Sequence, residues 1–219
     1  MKIIRIESVT FPEIKVIKFA RFADERGYFT ELYKKSDFEQ IDFLKGQTFV
    51  QNNESYSKKG AIRGLHFQWN PYQKKLVRTV SGSMIDLFLD IRIGSPTFGK
   101  IGAHKLESSP QKDYGEWIWI PVGFAHGLFL LEDSAIEYYC TSEYSPTSEA
   151  SISPAAPDID WSMADKDLAD QYKLSLPTAN ISDKDKAGIT LAQWLKDERS
   201  QFYKYRVSAA GFEPATTRL

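Results

Sequence analysis

The sequence predicts an all-β protein, an antiparallel sandwich or barrel with a few helices at its edges. Three observations carry this. From residue 47 to about 152 the chain is a succession of short apolar runs punctuated by Gly, Pro, Ser and Asn. Within it, residues 84–92 alternate: Ile85, Leu87, Leu89 and Ile91 share one face, Asp86, Phe88 and Asp90 the other, the period of a half-buried strand. Aromatic residues reach 14% and gather in runs such as Trp117-Ile118-Trp119, which suits strands better than helices.

The elements follow in order. Residues 36–43 predict a short helix, with Ser36 at the N-cap and Glu39 at capping-box spacing. Residues 75–80, 84–92, 116–120, 128–131 and 135–141 read as strands. Ser81-Gly82-Ser83 and Glu132-Asp133-Ser134 fit hairpin turns. Residues 145–160, rich in Ser, Pro and Ala, read as a long ordered loop. Leu191, Trp194, Leu195 and Phe202 have roughly helical spacing, so residues 190–205 predict a second helix. From Val207 the composition changes abruptly, and residues 207–219 are expected to be a disordered tail without function. The expectation is one domain over residues 1–206.

Composition narrows the function. The 219 residues carry 42% hydrophobic and 26% charged residues, ordinary values for a globular chain. A balance of 28 basic against 29 acidic side chains, net −1, gives no electrostatic reason to expect nucleic acid or an anionic membrane as partner. No apolar run is long enough to span a bilayer. One cysteine, Cys140, cannot form an internal disulfide, which suits a reducing cytoplasm; in its strand-like run it reads as a packing residue.

The chain has three histidines: His66, His104 and His126. His66 and His126 sit among glycines at strand-like positions, in Arg63-Gly64-Leu65-His66-Phe67-Gln68 and Gly123-Phe124-Ala125-His126-Gly127, which points to a pocket. A strand-borne metal site commonly uses His-x-His, but position 68 is Gln, so no metal is expected. Neither nucleotide-binding glycine pattern is present.

Asp24-Glu25-Arg26-Gly27-Tyr28-Phe29-Thr30-Glu31 resembles a signature of the dTDP-4-dehydrorhamnose 3,5-epimerase family. The resemblance continues through Gln51-Asn52-Asn53, the His66 segment, Lys75-Leu76-Val77-Arg78, Asp90-Ile91-Arg92, Gly94-Ser95-Pro96-Thr97-Phe98-Gly99, the His126 segment, Tyr144-Ser145-Pro146 and Ser182-Asp183-Lys184-Asp185. These blocks occur in family order over residues 5–200. The resemblance implies a cupin-type jelly-roll barrel, usually a homodimer. It also implies inversion of C3 and C5 of dTDP-4-dehydro-6-deoxy-D-glucose, with no cofactor and no metal.

It further implies site residues. His66 matches the base and Asp185 the carboxylate that orients it. Lys75 matches the cation beside the C4 oxygen, and His126 a histidine that contacts substrate. Arg26, Glu31, Gln51, Asn52, Asn53, Arg63, Glu149 and Lys184 fall in the blocks that hold nucleotide, diphosphate or sugar, with Arg26 and Glu31 serving the neighbouring subunit. The acid is a tyrosine. Family spacing back from Tyr144 selects Tyr138; spacing forward from His126 selects Tyr139. Ile136, Tyr138 and Cys140 form the apolar face of that strand, which favours Tyr138. Arg63 and His66, three apart, can share a face only if Gly64 opens a bulge.

Asn52 stands where many members have Asp, Ser162 where Pro is usual, and residues 108–115 form a longer turn. The alternatives are an epimerase acting at C3 or C5 alone, a sugar 3,4-ketoisomerase, and a barrel that binds nucleotide sugar without catalysis.

Overall fold

The computed structural model describes residues 1–205 together with 207–208 and 211–212. Its strands are β1 (Ile3–Val9), β2 (Phe11–Ala20), β3 (Phe22–Asp24), β4 (Gly27–Phe29), β5 (Gln51–Ser57), β6 (Ala61–Gln68), β7 (Lys75–Asp90), β8 (Ile101–Ser108), β9 (Tyr114–Ile120), β10 (Phe124–Leu130), β11 (Ser134–Cys140), β12 (Glu149–Ser151), β13 (Asn180–Ile181), β14 (Val207–Ser208) and β15 (Gly211–Phe212). β14 pairs with β15; the rest of the expected disordered tail lies outside the described residues.

The jelly roll turns on β7, a 16-residue strand that belongs to two sheets. Its first half lies between β9 and β11, in the order β1-β2-β9-β7-β11-β5. Its second half lies between β8 and β10, in the order β8-β7-β10-β6-β12, with β13 parallel to the start of β6. Ser81-Gly82-Ser83 is therefore not a hairpin turn. The chain runs straight on through a register shift against β11, and Gly82 adopts φ +87° there. A Cβ on Gly82 would fall 2.3 Å from Ser134 Oγ, so this crossing of sheets needs glycine. Residues 132–134 do turn the chain, but β10 then pairs with the second half of β7 and β11 with its first half, so the turn changes sheet and closes no hairpin.

Three apolar layers result. Phe11, Val77, Met84, Phe88, Ile118 and Leu128 fill the space between the sheets. Trp117, Trp119, Leu76 and Phe19 cover the outer face of the first sheet under Phe38, Ile41 and Leu44. Leu65, Phe67, Ile85, Leu87 and Leu89 cover the outer face of the second, under Tyr172, Trp194 and Tyr203. The alternation over residues 84–92 is thus real but is not that of a half-buried strand. Asp86, Phe88 and Asp90 are as buried as the leucines, because both faces are covered.

The helices are shorter than their sequence signals. α1 (Lys35–Phe38) is one turn with Lys34 at its N-cap and no side-chain cap, so Ser36 lies inside it; Glu39 instead accepts a hydrogen bond from Gly46 N. The longest helix, α2 (Lys166–Ser175), went unread in the sequence although Asp165 caps it by accepting from the N–H groups of Asp167 and Leu168. α3 (Asp183–Lys186) and α4 (Leu191–Trp194) are single turns, and residues 198–203 are a 3-10 segment rather than a continuation of α4. The loop over residues 145–160 contains β12.

Candidate active site

β6 and β10 bring His66 and His126 directly opposite each other. The register slips between them and the next rung, where Arg63 faces Leu128, so β6 carries one extra residue. Ile62, Leu65 and Phe67 consequently point to the outer cluster and Ala61 to the interior, which turns Arg63 and His66 to the same, inner side. Gly64 adopts φ +113°, and a Cβ there would lie 2.6 Å from Gly127 Cα and 2.7 Å from His126 O. The two glycines let the strands approach and bring the histidines together.

His66 Nε2 is 2.7 Å from Asp185 Oδ1. Asp185 is buried in the turn of α3, where its N–H donates to Ser182 Oγ and its Oδ2 accepts from Gly64 N. Burial pushes its carboxyl upward, but the hydrogen bond and charge of His66, with Ser182 and Gly64, outweigh that and hold it below the usual aspartate value. A neutral imidazole that donates Nε2–H to a carboxylate is left with its lone pair on Nδ1. Asp185 is also a first-turn residue of α3, whose N-cap is Ser182.

His126 makes a second such pair, its Nε2 2.9 Å from Asp86 Oδ2. Asp86 is fully buried on β7. Sequence reasoning missed it, although an acidic residue inside an apolar strand was a visible signal.

His66, Gln68, Lys75, Phe124 and His126 line one pocket. Burial pushes the Lys75 ammonium below the ordinary lysine value, while Cys140, Glu149 and Asp86 act upward on it. Its neighbour Lys74 points elsewhere, donating to Gln47 Oε1. Tyr138 packs against the interior cluster, whereas Tyr139 stacks on Trp117 in the outer layer, ring centroids 5.2 Å apart. Burial raises both phenols.

The remaining sequence candidates divide. Gln51 and Asn53 stand opposite Cys140 and Tyr138, and Gln51 Nε2 donates to Asn53 Oδ1. Glu149, the first residue of β12, stands opposite Gln68 and accepts from Lys184 Nζ at 2.6 Å and Tyr144 Oη at 3.0 Å. Arg63 Nε donates to Ser57 Oγ. Asn52 is not with its neighbours: alternation turns it outward opposite Tyr139, where it donates to Glu137, the partner of Arg78. Arg26 pairs with Asp24 in the β3–β4 ribbon and Glu31 with the Met1 amine, so within one chain both are engaged away from His66. Among the described residues no three His, Cys, Asp or Glu side chains converge as a metal-holding group.

The family blocks around residues 90–99 have a supporting place. Asp90, fully buried, accepts from Arg92 Nε and Nη2, Ser95 Oγ and Thr97 Oγ1. The Arg92 side chain then lies against Gly123 at the pocket wall.

The family model for dTDP-4-dehydrorhamnose 3,5-epimerase matches residues 8–193. A dTDP-4-dehydrorhamnose 3,5-epimerase of Neisseria gonorrhoeae is 39% identical over 86% of this chain, an alignment that spans 53% of the Neisseria protein. One from Shigella flexneri is 39% identical over 78% of this chain and 92% of its own length. The crystal structure of a dTDP-6-deoxy-D-glucose-3,5-epimerase from Legionella pneumophila, in complex with dTDP-4-keto-L-rhamnose, superposes with a TM-score of 0.74 at 34% identity, over 90% of this chain and 96% of that one. The chain belongs to the dTDP-4-dehydrorhamnose 3,5-epimerase family.

Proposed function

We propose that the protein inverts C3 and C5 of dTDP-4-dehydro-6-deoxy-D-glucose, giving dTDP-4-dehydro-L-rhamnose, by acid–base chemistry without a cofactor. The observation that carries the reading is the His66–Asp185 pair facing a pocket shared with Lys75. The C4 ketone acidifies the hydrogens on C3 and C5. His66 removes one of them, and the C–H electron pair moves into an enolate whose negative charge rests on the C4 oxygen. Lys75 stabilises that oxygen; a cation held out of water interacts strongly with developing charge. Asp185 stabilises the imidazolium, and Tyr138 delivers a proton to the opposite face. His66 returns its proton to solvent and Tyr138 is reprotonated from solvent. The same set then acts on the second carbon.

Arg63, Gln51, Asn53, Glu149 and Lys184 bind the nucleotide sugar, the two cations at its anionic part. Arg26 and Glu31 act on the neighbouring subunit of a homodimer. A cytoplasmic setting fits the lone, buried Cys140. NMR of the ketosugar in D2O with the enzyme tests the reading. Deuterium should enter at both C3 and C5. Exchange at a single carbon supports a mono-epimerase instead, and none supports a binding protein.

A further inference from the structure

Behind His126 a second polar array enters the interior. β7 and β8 pair antiparallel with Asp86 directly opposite His104, so both side chains leave the sheet on the same face. That face is the inner one: Met84 and Leu106 belong to the interior cluster, Ile85 and Ala103 to the outer. Asp86 commits Oδ2 to His126, while its buried Oδ1 has no hydrogen-bond partner within the chain. His104 Nε2 is likewise sealed from solvent and unpartnered. An acceptor and a potential donor, both buried, therefore share one rung of the ladder, and buried polar groups are nearly always hydrogen-bonded.

We propose that His104 is a positioning residue for the reaction: its Nε2–H donates to Asp86 Oδ1, directly or through one water, and so fixes the carboxylate that orients His126. The functional part of this inference rests on the epimerase reading above; the hydrogen-bonded array does not. A carboxylate held at both oxygens cannot rotate, and His126 then keeps Nε2–H on Asp86 with Nδ1 free. The charged groups acting on His104 come from four strands. Burial pushes its imidazole below the ordinary value; Glu116 on β9, Asp86 on β7 and Glu7 on β1 act upward, Lys18 on β2 downward. The lowered value keeps His104 neutral at neutral pH, with a single ring proton to place.

Long-range 1H–15N spectra report the tautomer of each imidazole, and with three histidines in the chain the assignment is tractable. In the wild-type protein His104 should be protonated at Nε2 and His126 should show one tautomer, also Nε2–H. His104→Leu should mix the His126 tautomers and lower kcat about tenfold with little change in KM, the scale of losing one hydrogen bond to a charged group. His104→Gln, whose amide can donate from a similar reach, should restore both. An unprotonated Nε2 on wild-type His104 overturns the proposal. So does an unchanged His126 spectrum in His104→Leu, or a glutamine variant no better than the leucine one. If His104→Leu does not fold, the wild-type spectrum decides. The spectra are read on the resting protein, so they stand apart from the epimerase reading, whose failure appears only as missing exchange.

Discussion

His66 and Asp185 are 119 residues apart in the chain, yet imidazole Nε2 and carboxylate Oδ1 lie 2.7 Å from each other. The carboxylate arrives on a one-turn helix that follows β13, and β13 runs parallel to the start of β6. The His66–Asp185 contact is thus set by one short parallel pairing.

The two partners should fail differently when removed. His66→Ala should abolish exchange at both carbons, with a loss of about 10²–10⁴-fold or more, and leave dTDP affinity nearly intact, because the role proposed for it is proton transfer. Asp185→Asn keeps His66, the proposed base, but removes the carboxylate charge beside it, so kcat should fall and KM change little. Exchange rates by NMR and dTDP titration by calorimetry check both. A His66→Ala variant that retains a few per cent of wild-type exchange removes His66 from the role of base.

The lowered pKa of Asp185 makes a prediction about stability and pH. A carboxyl whose folded pKa lies below its unfolded value, about 3.9, stabilises the fold above the unfolded value and loses that contribution as pH falls through the folded one. The difference in Tm between wild type and Asp185→Asn should therefore be flat from about pH 7 to 5 in this term and should shrink below about pH 4. A difference undiminished at the acid end contradicts the pairing.

Gly64→Ala should be damaging out of proportion to one methyl group. The residue is at φ +113° and its Cβ would meet backbone atoms of both His126 and Gly127. We expect a loss of about 2 kcal/mol or more, roughly 4–8 °C in Tm, together with lost activity as the bulge that aims His66 is disturbed. Thermal unfolding of the purified variant is the measurement. A Tm within a degree of wild type means that the bulge does not need glycine.

Much of this was legible in the sequence. Alternation located the strands because apolar side chains on a pleated sheet must take sides, and it chose correctly between Tyr138 and Tyr139 as the inward residue. It failed where local signals have two meanings. Ser81-Gly82-Ser83 has turn chemistry, but a strand that changes sheets needs the same positive φ. Asp86 looked like the wet side of a strand because nothing local shows that a second sheet covers it. Asn52 came with its block, yet a period of two cannot put three consecutive residues on one face. The Asp185 contact was out of reach of spacing and rested on family resemblance alone.

Prolonged dialysis against a strong chelator should leave activity unchanged. Each pocket histidine commits Nε2 to a carboxylate, and no three potential ligands converge among the described residues. Activity lost to the chelator and restored by a divalent ion would show that a metal takes part.

The tyrosines give the sharpest test. Inversion requires a proton to leave one face of the sugar and another to arrive on the opposite face, so the acid must project into the space that His66 also faces. Tyr138 does so: it packs against the interior cluster, and both Arg63 and Glu149 act on its phenol. Burial raises that phenol, which keeps its proton available for donation at neutral pH. Tyr139 is one residue on and therefore on the other side, stacked with Trp117 and close to Phe49. Tyr138→Phe should then block inversion yet allow exchange, since His66 can return a solvent-derived proton to the face it came from. Tyr139→Phe removes only an oxygen from an aromatic layer and should leave inversion within about twofold of wild type, as substitutions away from the reacting atoms usually do. Monitoring deuterium incorporation and product stereochemistry in the same NMR tube separates exchange from inversion. If Tyr139→Phe loses inversion while Tyr138→Phe keeps it, the outer layer must open on substrate binding and β11 must present its other face, a one-residue change of register that would reverse every assignment on that strand.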